Sequence, residues 1–182
     1  MDAMQDPAAF FYSAKDTWWQ SLQVFAAVKQ GKLDPSNLPT EFSLTTDPTK
    51  LQSLRVRIPN TSTRHLESWA NNVMASTLGT LAMAAEGALE AKFGTNGKAY
   101  EDKDSNRRAV RCIWYMIRCA FAHPSKGTPT WSCNKDYQDV FKVNSITIDT
   151  RALNGQVFSI AHLGGWENIP VLLQETERLL AS

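Results

Sequence analysis

Two side chains in the stretch "WYMIRCAFAHPSKG", residues 114–127, are of types that hold charge and move protons: Arg118 and His123. A guanidinium keeps its charge under ordinary conditions and presents a planar fork of donors. An imidazole titrates near neutrality and is the usual group for proton exchange. Together they are a minimal phosphotransfer pair. His123 would exchange a proton with a ribose hydroxyl or a leaving oxygen, while Arg118 would hold the charge that builds on the phosphorus oxygens. RNA carries its own nucleophile, the 2′-hydroxyl, so this chemistry requires neither a metal nor an organic cofactor.

The surroundings of the pair are basic. Arg107, Arg108, Arg111 and Arg118 lie on one predicted helix, Lys126 follows it, and the window from Ser105 to Lys135 contains no Asp or Glu. Arg111 and Arg118 are seven residues apart and share a helix face. With Trp114, Tyr115 and Trp131 nearby, Arg107, Arg108, Arg111 and Lys126 suit a phosphate backbone and unstacked bases. The structural alternative is a polar face whose arginines pair with acids from other helices, with His123 capping a helix end. Spacing also sets a geometric problem. Five residues on an ideal helix put Arg118 and His123 roughly 140° apart, so they converge only if the last turn unwinds before Pro124 or if a second copy completes the site.

The elements that must position these residues are mainly helical. With 43% hydrophobic and 20% charged residues the chain reads as a globular protein. A net charge of +1 is too small to imply a nucleic-acid or membrane partner by itself. The first helix is expected from Asp6 as N-cap and Pro7 to Gly31, with Phe10, Phe11, Ala14, Trp18, Leu22, Phe25 and Val28 inward. Residues 32–60, rich in proline, read as a connector with at most a short strand near "SLRVRI". A second helix runs from Thr61–Thr63 to Gly94 with Leu66, Trp69, Val73, Leu81 and Leu89 inward; Glu86 and Glu90 within it argue against a membrane span. The third starts at Asp104 or Ser105, turns Val110, Ile113, Trp114, Ile117 and Phe121 inward, and stops at Pro124. "VFKVNSITIDTRAL" and "QVFSIAHL" read as two β-rich runs joined at Asn154-Gly155, and a final helix spans about Asn168 to Leu180.

The motif "IRCAFAH", with Arg118 and His123 at the ends of an R-x4-H spacing, resembles that of the HEPN superfamily. The resemblance covers about residues 60–125. It implies an all-α bundle, commonly a homodimer in which two copies of the motif face each other. It also implies a metal-independent endoribonuclease of toxin–antitoxin, phage-defence or RNA-processing systems, with Arg118 and His123 as its catalytic residues. Cys119 stands where active members usually carry a polar residue, and the superfamily also contains non-catalytic dimerisation and binding modules.

Other constellations are weaker. Cys112, Cys119, His123 and Cys133 lack the close Cys-x2-Cys pairing of structural zinc sites. An odd number of cysteines and an acidic N-terminus unlike a signal peptide point to reduced thiols and a cytoplasmic setting. His162 reads as a turn residue at a helix entrance, and Gly164-Gly165 is a faint phosphate-loop signal. The expected whole is a single mainly α domain over residues 1–182: a HEPN-like bundle to about 125, then a β-hairpin and helix over about 136–182. Its expected partners are RNA, a second copy, and an antitoxin or other protein, with no membrane and no metal.

Overall fold

The computed structural model describes residues 6–34, 36, 41–47, 52–57, 62–94, 96–125 and 127–182. The protein is mainly α, with a small antiparallel hairpin and a C-terminal helix in its last third. The helices are α1 (Pro7–Lys29), α2 (Thr63–Phe93), α3 (Ser105–Ala122) and α4 (Asn168–Ala181); the strands are β1 (Glu41–Asp47), β2 (Gln52–Arg57), β3 (Val140–Val143) and β4 (Ile146–Asp149). The chain forms two compact units, one of residues 1–18 with 76–182 and one of residues 19–75.

The smaller unit contains the connector. β1 and β2 pair antiparallel from Glu41↔Arg57 to Asp47↔Gln52, with a bulge between Thr45 and Asp47. The expectation of at most one short strand is therefore corrected: "EFSLTTD" is a strand as well. Its apolar–polar alternation at Phe42, Ser43, Leu44 and Thr45 is a period-two signal, and an edge needs a partner for its backbone groups. Val28, Leu66 and Ala70 form a buried cluster with Phe25 and Leu33 packed on it. Trp69, expected inward, is exposed, because the buried pair Leu66 and Ala70 fixes a stripe from which it is rotated by one residue.

In the larger unit, Asp6 Oδ1 accepts the Ala8 N–H (3.0 Å), and α1 buries Phe11, Ala14 and Trp18 while Phe10 faces outward. α2 contributes Leu78, Leu81, Ala82, Ala85 and Leu89 to the core. α3 starts at Asp104, whose side chain accepts the Arg107 N–H (2.7 Å), and buries Val110, Ile113, Trp114 and Ile117. Gly79 lets the two helices close: a Cβ there would sit 3.0 Å from Cβ and Cγ of Phe121. α4 closes the core with Leu172, Leu173 and Thr176, and the Trp114 Nε1–H donates to Thr176 Oγ1 (2.8 Å).

The second hairpin differs from expectation in its turn. β3 and β4 pair from Val140↔Asp149 to Val143↔Ile146, so the chain reverses at Asn144-Ser145, with Asn144 at φ 50°. Asparagine tolerates the left-handed region, and the alternation of buried Phe141, Val143, Ile146 and Ile148 continues across that turn. Asn154-Gly155 is a turn too, but it folds back on residues 128–131 through Trp131 N–H to Gln156 O (2.8 Å) and a bridge between Thr130 and Val157. "SIAHL" then winds into a 3-10 turn, Ile160–Leu163, instead of a strand.

Replacing Gly79 with Leu forces a side chain into the Phe121 contact. Urea denaturation is expected to show a loss of about 1–3 kcal/mol of stability.

Candidate functional site

The four arginines of α3 take different paths. Arg107 grips Asp102 with both ends of its fork, Nε to Oδ2 at 2.6 Å and Nη2 to Oδ1 at 2.7 Å, and lies 4.4 Å from the centre of the Phe93 ring. Arg111 is only 2% exposed; its Nη1 donates to Asp102 Oδ2 (3.0 Å) and its Nη2 to Glu90. Burial pushes the Asp102 carboxyl up, but the hydrogen bonds from Arg107 and Arg111 outweigh it and hold the group below the usual carboxylate range. Arg111 is thus a correction to the sequence reading: it is a buried structural charge, not a contact for a phosphate backbone. Arg107 is largely committed to the same carboxylate, and Arg108 is half-buried. Lys126 lies outside the described residues. The window around these arginines is acid-free in sequence, yet its acids arrive from Asp102 just ahead of α3 and Glu90 on α2.

Arg118 behaves differently. Its side chain is 40% exposed and has Glu86 Oε2 at 3.7 Å, too long for a hydrogen bond, with the Tyr115 ring centre 5.8 Å away. Tyr115 stacks on buried Tyr137 (4.6 Å between centres, 11° between planes), and Tyr100 meets Tyr137 edge-on at 5.3 Å. This aromatic column backs the arginine. Cys119 is buried, and burial pushes its thiol up. The residue after Arg118 therefore packs inward and stays protonated.

Glu86, the acid facing Arg118, was not singled out by the sequence. Burial pushes its carboxyl up; Arg118 pulls it down by less, Glu90 adds to the rise, and Arg111 opposes it. A sequence signal existed: an acid inside a run of alanine and leucine needs a basic partner or a function.

His123 caps α3 and is exposed. Its N–H donates to Cys119 O (3.1 Å), so the helix stays wound to its end and His123 leaves it only at φ −127°, ψ 61°. The helix is thus wound through Ala122, and the last turn before Pro124 does not open to swing His123 toward Arg118. Among the described residues no hydrogen bond joins them.

The remaining constellations have structural explanations. Among the described residues no group of three or more His, Cys, Asp or Glu is placed to hold a metal. Cys112, Cys119 and Cys133 are buried free thiols, with burial pushing Cys112 to about 12 and Cys133 to about 11. His162 Nδ1 accepts the Trp131 Nε1–H (2.8 Å) and the Ser159 N–H (3.3 Å), so it ties a 3-10 turn together. At Gly164-Gly165 the Glu167 carboxylate stands against the Gly165 backbone where a phosphate would have to approach. Among the described residues no helix is long and apolar enough to cross a membrane.

No family model, curated protein or solved structure matches the chain. The functional reading therefore rests on the R-x4-H spacing and on the geometry around Arg118.

The contrast between the arginines is measurable. Arg111→Ala leaves Asp102 and Glu90 without their buried cation and is expected to cost about 3 kcal/mol in chemical denaturation. Arg118→Ala breaks only a loose pair, 3.7 Å long and with its guanidinium 40% exposed, and is expected to stay within about 1 kcal/mol of the parent.

Proposed function

We propose that the protein is a metal-independent endoribonuclease of the HEPN type, acting as a homodimer. One observation carries this reading: Arg111 is buried in an ion network, while Arg118, on the same face, keeps 40% of its side chain exposed and shares its helix end with an exposed histidine. Arg118 holds the charge that develops on the phosphorus oxygens. His123 transfers a proton, and because α3 stays wound to its end, the histidine that meets Arg118 comes from the other copy. The 2′-hydroxyl attacks the adjacent phosphorus and leaves a 2′,3′-cyclic phosphate. Arg108 and Lys126 remain as backbone contacts, with Arg107 secondary. A toxin–antitoxin or phage-defence setting, with an antitoxin as partner, is what the resemblance implies, and the cysteine usage supports a cytoplasmic one.

A second reading is a non-catalytic HEPN-like dimerisation or protein-binding module. It is favoured by the internal pairing of Arg107 and Arg111 with Asp102 and Glu90, which removes much of the basic track an RNA strand would follow.

Mixed single-stranded RNA incubated with the protein in EDTA separates the two. The nuclease gives cyclic-phosphate ends, with Arg118→Ala and His123→Ala each lowering the rate by about 100-fold or more. A folded, dimeric parent that leaves RNA intact supports the module.

A further inference from the structure

Attack by a 2′-hydroxyl requires two proton movements, one off the nucleophile and one onto the leaving oxygen. The R-x4-H pair supplies one proton-transfer group, since a guanidinium does not exchange its proton under ordinary conditions. A second must stand within reach of a phosphate held by Arg118. Tyr115 is unsuited: burial pushes its phenol up, followed by the effects of Cys119, and its ring is stacked on Tyr137. Cys119 is buried and protonated. Glu86 remains.

We infer that Glu86 is the second proton-transfer group of this site, taking the 2′-hydroxyl proton while His123 of the other copy protonates the leaving 5′-oxygen. The inference rests on the nuclease reading above. Its geometric basis is threefold. Glu86 Oε2 lies 3.7 Å from Arg118 Nη1, close enough to flank one phosphate and too far to bind the arginine in a hydrogen bond. The Glu86 side chain is 15% exposed, sheltered yet reachable. The surface of α2 beside it is open: Met83 is 46% exposed, and a Cβ built on Gly87 would meet nothing within 4 Å.

Burial pushes the Glu86 carboxyl up, and Arg118 pulls it down by less. Glu90 on α2 and Arg111, Arg118, Tyr115 and Cys119 on α3 are the titratable groups that act on or with it, and burial sets the net upward direction. In the step itself the 2′-oxygen–phosphorus bond forms and the phosphorus–5′-oxygen bond breaks. The 2′-hydroxyl proton passes to the Glu86 carboxylate, and the imidazolium proton of His123 passes to the 5′-oxygen. The reaction ends with a neutral carboxyl and a neutral imidazole, which exchange with water before the next turnover.

The test is the single-turnover rate of cleavage of mixed single-stranded RNA in EDTA, from about pH 4 to about pH 8, for the full chain and for Glu86→Gln and His123→Ala. The parent is expected to give a bell-shaped profile. Glu86→Gln is expected to fall by about 100-fold or more and to lose the acidic limb, and His123→Ala to lose the basic limb. A parent that cleaves RNA with no acidic limb overturns the assignment even if Glu86→Gln does not fold. So does a Glu86→Gln protein that keeps the parental rate, or one that is slower but retains the acidic limb, since Glu86 would then only position Arg118. A folded parent that cleaves nothing overturns the nuclease reading itself.

Discussion

The arrangement of α2 and α3 depends on a buried cation that cannot be discharged. A guanidinium stays charged under ordinary conditions, and Arg111, with 2% of its surface exposed, requires carboxylates at contact distance. Asp102, from the loop before α3, and Glu90, from α2, supply them. These two contacts fix the rotation of α3 about its own axis. At the other end Gly79 admits Phe121 against the α2 backbone. Between these fixed points the helices run antiparallel, so Glu90 faces Arg111, Glu86 faces Arg118 and Gly79 faces Phe121.

The two acid–arginine rungs use the same residue types and do different work because water reaches them differently. The inner rung is dehydrated and its donors are spoken for by hydrogen bonds, so it acts as a fixed joint. The outer rung is loose, its guanidinium is partly solvated, and burial pushes its carboxyl up. The aromatic column of Tyr100, Tyr137 and Tyr115 stiffens the wall beside it. A rigid joint one heptad away along α3 therefore holds the loosely paired Arg118 and Glu86 in a fixed place.

Much of this was legible in the sequence, and the rest was hidden for identifiable reasons. The start of α1, the end of α2 and both ends of α3 follow from Asp6-Pro7, Gly94, Asp104 and Pro124, because caps and breakers act locally. The inward stripe of α3 follows from its period. Long-range pairing is another matter. That Arg111 is buried depends on Glu90, twenty-one residues earlier, and no pattern within α3 reports it. β1 was obscured by the prolines around it, and the turn at Asn144-Ser145 was outranked by Asn154-Gly155, a stronger local signal placed where the backbone bonds to residues 128–131 instead. Glu86 could be recognised as unusual in its apolar run, but its partner depended on how α2 and α3 pack.

The most direct test of a site completed by a second copy is a mixing experiment. Arg118→Ala and His123→Ala proteins are each assayed alone on single-stranded RNA, then combined in equal amounts and allowed to exchange subunits. If Arg118 of one copy works with His123 of the other, half the dimers are mixed and each holds one intact site, so about one quarter of the parental rate returns. A mixture no more active than its components, with exchange verified, would contradict the shared site.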